Sequence, residues 1–449
     1  MSQDSIEFLF STPEMTEVFS LSHQLRTMTQ FEWALSCALE ECGLAGAGSG
    51  DAVRRHLDAQ FVDVVSLRSE ALKTGNVAIP FIHQLTARVR EENEASAKTI
   101  HLGATSQDVL DTALVLEIQQ ALQLIFDSIR RLDQALEKQA RIHADTIITA
   151  RTWLQPGPPT TFGLKLAGFV SALRRHRLRI HQAAQRGLVL QFGGAVGTLA
   201  ALGPDGTRVS KELARILQLN EPELPWHSHR DNLVEISAAL ALLVGTLGKF
   251  ARDIALLMQT EVGEAAEPAQ HGRGVSSTMP HKRNPVACAS VLACAARVPG
   301  LVATLLSAMP QEHERGLGLW PAEWETIPQI FRLAACALAH SIEIAEGLEV
   351  DAARMAANLD ARLGLTQSEA VAVAMTGKIG RIAAHSLLET AAGRAAATGQ
   401  HLSVVLKSMP EVTAHLDGED IERLLDPREY LGSAARFIHR VLEDADADD

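Results

Sequence analysis

The chain has 449 residues, more than one hydrophobic core usually organises, which implies two or three domains or a single elongated one. Its 54 acidic residues against 41 Lys and Arg leave a net charge of −13, which argues against nucleic acid or an anionic membrane as the natural partner and requires any anionic ligand to find locally concentrated positive charge. Aromatics are scarce, with a single tyrosine, and Ala and Leu abound, a helix-forming composition in which long β-rich stretches are hard to find.

The sequence MSQDSIEFLF has no basic segment followed by an apolar run, so no signal peptide is expected. No run of about 18 to 20 apolar residues is free of charge, so no membrane span is expected either. Five cysteines (Cys37, Cys42, Cys288, Cys294, Cys336) show no paired metal-ligand spacing and are expected to be reduced packing thiols in a cytoplasmic protein.

Residues 1–108 form a first domain of shorter helices, broken at GLAGAGSG (Gly43–Gly50) and between Gly75 and Pro80. Residues 109–349 form a central domain of long helices. From Val109 to about Ala150 there is neither Gly nor Pro, and Leu114, Ile118, Ala121, Leu122, Ile125, Ile129, Leu132 and Leu136 recur at steps of three and four. At 1.5 Å per residue this predicts a rod of roughly 60 Å. Helices over about 160–187, 231–263, 285–308 and 325–347 follow. Five such helices imply a bundle that buries its surplus apolar surface against another subunit. Residues 350–449 read as a third domain of short helices ending in the acidic tail DADADD, a frayed, solvated end. The glycines of QFGGAVGTLAALG (Gln191–Gly203) follow Arg-rich helical sequence rather than a strand. They predict a turn that needs positive φ or close backbone approach, not a nucleotide site.

Polar stretches interrupt the apolar pattern. In HLGATSQDVLDTA (His101–Ala113), Thr105 and Asp108 stand in a capping-box relation, and the hydroxyls and free N–H groups of the same turn suit an oxyanion. ARTWLQPGPPTTFG (Ala150–Gly163) reads as a Pro-rich break before the next helix. In GVSSTMPHKRNP (Gly274–Pro285), Asn284 and Pro285 look like an N-cap and first helical position, with His281, Lys282 and Arg283 beside them. A solvated basic loop and an anion site at a helix N-terminus both fit that spacing. Arg315, in HERGLGLWPAEWE (His313–Glu325), is a carboxylate clamp or a partner of Glu312 or Glu314.

GATSQD, ARTWLQ and SSTMPHKRNP, in this order on a long-helix bundle, resemble the fumarase/aspartase superfamily, and the likeness extends over essentially the whole chain. STPEMTEVFS, RTWLQPGPPTTFGLKLAG, HERGLGLWPAEWE and KIGRIAAHSLLETAA look most like its 3-carboxy-cis,cis-muconate cycloisomerases, which act in protocatechuate catabolism. The resemblance implies an all-α, three-domain chain with a central five-helix bundle. It also implies a homotetramer whose active sites are shared between subunits and which acts on a small polycarboxylate without metal or other cofactor. By the same resemblance Ser276 is the residue that protonates carbon, with Ser277 and Thr278 its nearest rivals. Substrate contacts are implied for His101, Thr105, Ser106, Gln107, Thr152, Trp153, Gln155, Ser277, Lys282, Asn284 and Arg315, and also for Arg230, Lys378 and Arg381.

One departure bears on the reaction. Where the lyases have Thr-His, this chain has Thr152-Trp153, which removes a proton shuttle. Amine and hydroxide leaving groups need protonation, whereas a lactone opens to a carboxylate of pKa about 4 that needs none. The substitution favours a cycloisomerase over a lyase releasing fumarate. A 3-sulfomuconate cycloisomerase fits the same motifs, whereas the intact SSTMPHKRN loop argues against a non-catalytic, crystallin-like structural protein on the same bundle. Arg151, Arg273, Lys282, Arg283 and Arg315 are the cations expected to gather a tricarboxylate.

Overall fold

A computed structural model describes residues 6–269, 274, 279 and 282–443; Ser276, Ser277, Thr278, His281 and Arg273 lie outside the described residues. Shorter helices come first: α1 (Leu21–Glu41), α2 (Val64–Thr74) and α3 (Ala78–Glu92). Side-chain oxygens start the first two, with Ser20 Oγ accepting from His23 N and Asp63 Oδ1 accepting from Val65 N and Ser66 N. Five long helices follow: α4 (Ser106–Ile142), α5 (Phe162–Gly187), α6 (Asp231–Leu257), α7 (Val286–Ala308) and α8 (Leu319–Glu346). Beyond them lie shorter helices, including α9 (Ser368–Ile379) and α10 (Arg381–Thr398).

All eight apolar residues predicted to form the stripe of α4 are buried. The helix is shorter than its Gly- and Pro-free run predicts. It stops at Ile142, and Ile147–Thr152 forms strand β1, paired antiparallel with β2 (Gln155–Thr161) in a hairpin. The β-branched run Ile147-Ile148-Thr149 suits a pleated strand, which is why freedom from Gly and Pro did not prolong the helix. The Pro-rich break is therefore half of a hairpin, and its turn residues Trp153 and Leu154 take positive φ of 53° and 63°. A second two-stranded ladder pairs 265–266 with 349–350.

Contacts divide the chain into two compact units built from discontinuous stretches: 1–129, 175–248 and 290–339 in the first, and 130–174, 249–289 and 340–449 in the second. These units cut through the long helices, whereas the boundaries at 108 and 349 follow chain order. In the first unit Phe31 packs on Phe192 and Phe19 on Phe331, with ring centroids 6.4 and 5.5 Å apart. In the second, Phe169 meets Phe250 edge-on, and Met375, Leu388, Leu406 and Ile421 anchor a separate cluster among the C-terminal helices. By length and composition α4, α6 and α7 are each apolar enough to cross a membrane, although scattered charges had kept the sequence from showing it. The apolar windows of α4 and α6 are mostly buried inside the protein, but that of α7 is only 33% buried.

Candidate active site

The first unit builds a cation site at the start of α4. Thr105 N–H donates to Asp108 Oδ2 at 3.0 Å, one half of the expected capping box. The Thr105 hydroxyl is engaged elsewhere, accepting from Arg315 Nη1 at 2.7 Å. Arg315, on the connection between α7 and α8, also donates from Nε to Gln107 Oε1 at 3.1 Å and reaches Ser106 Oγ from Nη2 at 3.5 Å. Its partners are all neutral. Glu312, one of the two acids expected to pair with it, instead accepts from Leu317 N, and no carboxylate pairs with Arg315 among the described residues. A half-buried guanidinium without a counter-charge, set at a helix N-terminus among hydroxyls, is prepared for an anion.

A buried ionic network fixes this cluster from below. Gln107 donates from Nε2 to Asp111 Oδ2 at 3.1 Å and to the His227 carbonyl at 2.8 Å, which leaves its carbonyl oxygen facing Arg315. Asp111 in turn accepts two hydrogen bonds from Arg230 and one from Trp320 Nε1. Glu323 takes the remaining face of the same guanidinium, at 2.6 Å from Nη2. Here the sequence expectation is corrected: Arg230 is 1% exposed and fully engaged by Asp111 and Glu323, so it holds the site together and does not hold substrate. Burial works against its charge, but the two carboxylates outweigh it and raise its pKa further. Burial also pushes the Glu323 carboxyl up, against the pull of Arg230.

Asp108 ties the helix start to the glycine-rich turn. Completely buried, it accepts from Thr105 N, Gly193 N, Gly194 N and Gln191 Nε2, and lies 2.7 Å from His227 Nε2. The glycines are required by proximity. A Cβ on Gly193 would come within 2.9 Å of the His227 ring, and one on Gly194, whose φ is +70°, within 2.8 Å of the Gly103 carbonyl. QFGGAVG is thus the tight turn its composition predicts, and the anion it cradles is the protein's own aspartate.

His101 lies a turn before the cluster and is partly exposed. Its Nδ1 is 2.7 Å from Oε1 of the buried Glu32, whose Oε2 accepts the His101 N–H. Burial by itself would lower the His101 pKa, but the Glu32 charge and hydrogen bond, with Asp108 behind, raise it above the ordinary 6.5. The pair therefore favours imidazolium, a second cation four residues before Thr105 in the chain. Because the folded pKa is raised, the contribution of the pair is complete below pH about 6.5 and disappears as pH climbs through the folded value. Glu32→Gln is expected to move the alkaline rise in KM for a polycarboxylate to lower pH while kcat on the acid side stays near wild type. A pH profile of both constants checks this. Sequence reading missed Glu32, although it occupies a core slot in the spacing Leu25, Met28, Glu32, Leu35, Leu39, where an acid demands a partner.

The second unit carries the other expected residues. Thr152 and Gln155 face each other as the last pair of the hairpin, both exposed, and Trp153 at its tip is 98% exposed. Arg151, expected to help gather substrate, is instead clamped by Glu264 through two bonds of 2.8 and 2.7 Å, with Asn358 on the same carboxylate. Arg283 is likewise held by Glu349 and the Glu267 carbonyl. Asn284 is not the cap of α7: its amide donates to the Gly274 carbonyl, and the buried Glu267 carboxylate takes the first-turn N–H groups of Ala287 and Cys288. The anion at that helix terminus is therefore internal. Lys282 is exposed. Lys378, also exposed, donates to the His415 carbonyl, and Arg381 opens α10 on the surface.

A lyase family model matches residues 7–300, and a model described as the adenylosuccinate lyase C-terminus matches residues 364–441. The first spans well over half of the chain. This protein belongs to the lyase family, within the fumarase/aspartase superfamily. Among its relatives, the 3-carboxy-cis,cis-muconate cycloisomerase of Pseudomonas aeruginosa is 48% identical over 433 residues, covering 96% of this chain and 94% of that one. The protein of the same name from Bradyrhizobium diazoefficiens is 46% identical over 424 residues, 94% of each chain. The crystal structure of 3-carboxy-cis,cis-muconate lactonizing enzyme from Pseudomonas putida superposes with a TM-score of 0.93 at 47% identity and covers 98% of both chains. The all-α architecture around long helices is thus that of the superfamily.

Proposed function

We propose that this protein is a 3-carboxy-cis,cis-muconate cycloisomerase, closing its substrate to 4-carboxymuconolactone. The observation that carries this reading is the uncompensated Arg315, forked onto Thr105, Ser106 and Gln107 at the start of α4. A guanidinium without an internal counter-ion binds a carboxylate whose charge grows during reaction. One substrate carboxylate attacks the conjugated double bond at the carbon β to another carboxylate. The electron pair moves onto that second carboxylate, giving an aci-carboxylate dianion, and a proton delivered to the α carbon completes the lactone. Cations and hydrogen-bond donors at the growing dianion lower this barrier. Ser276 is our candidate for the proton donor, with Ser277, Lys282 and Asn284 on the same loop.

Thr152, Trp153 and Gln155 complete the site from a different subunit of a homotetramer. Two features support assembly: a tryptophan presented bare at a hairpin tip, and the strongly apolar helix α7, whose most apolar window is only 33% buried. Trp153 in the position of a proton shuttle suits an oxygen leaving group that departs as a carboxylate. The reaction places the protein in protocatechuate catabolism.

An ultraviolet assay of purified protein with 3-carboxymuconate, 3-sulfomuconate and adenylosuccinate tests the reading. Turnover is expected with 3-carboxymuconate and should collapse in Ser276→Ala. Preferred consumption of the sulfo compound reassigns the substrate, and consumption of adenylosuccinate alone overturns the argument from Trp153. A flat trace with all three returns the protein to a structural role, and near-normal turnover by the variant removes Ser276 from the chemistry.

A further inference from the structure

Arg315 sits on the connection 309–318 between α7 and α8, which has no helix or strand of its own. A loosely held cation there would lose conformational freedom each time it engaged a carboxylate, so what fixes the connection bears directly on binding.

The connection is tied near both ends to the two buried carboxylates that share Arg230. At its start, Gln311 Nε2 donates to Glu323 Oε1 at 3.3 Å. Just beyond its end, Trp320 Nε1 donates to Asp111 Oδ1 at 2.9 Å, and Asp111 is also the acceptor that turns Gln107 toward Arg315. Between these ties the chain folds back on itself. Glu312 Oε2 accepts from Leu317 N at 3.0 Å, and His313 takes a positive φ of 47°. The Gln311 amide lies against Gly316, the residue after Arg315: a Cβ on Gly316 would come within 2.6 Å of Gln311 Oε1 and 2.9 Å of its Cδ.

Glutamine is not the most stabilising choice for this place. Its Oε1 is buried with no hydrogen-bond partner among the described residues. Exchanging the two ends of the amide would set that oxygen against the Glu323 carboxylate, so the donor must face Glu323 and the acceptor stays unpaired. A buried unpaired carbonyl destabilises a fold, and a methionine of similar length would fill the space without one. What glutamine adds is the tie to Glu323.

We propose that Gln311 is a positioning residue for the carboxylate clamp: bonded to Glu323 and packed against Gly316, it fixes the backbone from which Arg315 presents its guanidinium. The inference rests on the reading of Arg315 as the group that binds a substrate carboxylate. The buried Arg230 network then sets both halves of the clamp, Gln107 through Asp111 and Arg315 through Glu323 and Gln311. The clamp meets its ligand already ordered.

Calorimetric titration of the intact protein with propane-1,2,3-tricarboxylate, beside thermal unfolding, tests this. Gln311→Met is expected to weaken binding by about tenfold without a fall in melting temperature. In an Arg315→Ala background the same change should have almost no further effect, because the residue it positions is gone. Gly316→Ala should also weaken binding by pushing on the Gln311 amide, and should do so less in Gln311→Ala, where that amide is absent. This loop variant keeps the test decisive if Gln311→Met does not fold. Tricarboxylate binding that Arg315→Ala leaves unchanged overturns the reading of Arg315 and the proposal with it. Binding that depends on Arg315 but is untouched by Gln311→Met overturns the proposal alone, as does an equal loss with and without Arg315 or a melting temperature that falls in step with affinity.

Discussion

Arg315→Ala is expected to reduce kcat/KM by on the order of 10²- to 10³-fold with little change in melting temperature. The asymmetry follows from the partners of the side chain. In the free protein it donates to two hydroxyls and an amide, all near the start of a helix and within reach of water, so its removal strands no buried charge. In the complex it faces a carboxylate, and the interaction strengthens as the second negative charge develops, so the loss falls on kcat as well as KM. Arg315→Lys retains the charge but not the planar fork that spans Thr105 and Gln107, and an intermediate loss of roughly tenfold or more is expected. Steady-state kinetics beside thermal unfolding separates the outcomes. A variant that loses stability and activity together would make Arg315 a structural brace and remove the central support for the anion site.

How much of this site was legible in the sequence depended on what each residue type discloses. The hydroxyls and glutamine of GATSQD disclosed a helix start open to an anion, because capping chemistry is local and its spacing is visible in one dimension. The apolar stripe of α4 was legible for the same reason, since the 3.6-residue period is intrinsic to the helix. The end of α4 was not, because β-branching at Ile147–Thr149 and pairing with residues twelve or so positions on decided it. Cations were the least legible of all. Arg151, Arg230, Arg283 and Arg315 look alike in sequence, yet the first three meet Glu264, Asp111 with Glu323, and Glu349, which are remote along the chain. Only the fold shows which arginine lacks a counter-charge. The same holds for Glu267, which displaced Asn284 as the cap of α7 from 20 residues away.

Arg230→Met should be the most destabilising of these substitutions, by about 3–5 kcal/mol, because it leaves the buried carboxylates of Asp111 and Glu323 facing each other without their shared cation. In a protein of this size that corresponds to a fall of several degrees in melting temperature. The pH dependence gives the sign. Burial already holds the Glu323 pKa above its ordinary value while Arg230 pulls it down, so losing Arg230 raises it further. The folded variant then retains a proton that the unfolded chain releases at its ordinary carboxylate pKa of about 4.3, and stability falls as pH rises above that value. The penalty is therefore largest at alkaline pH and shrinks on acidification toward pH 5. Arg230→Met combined with Asp111→Asn and Glu323→Gln should recover much of the loss, because it removes the charges along with their partner. Activity should remain low in the triple variant, since the carboxylate that holds Gln107 toward Arg315 is replaced by a neutral amide with a single acceptor oxygen, a weaker hold. Thermal unfolding from pH 5 to 9 reads the first effect and KM reads the second; an Arg230→Met protein of wild-type stability and impaired KM would instead return Arg230 to the substrate.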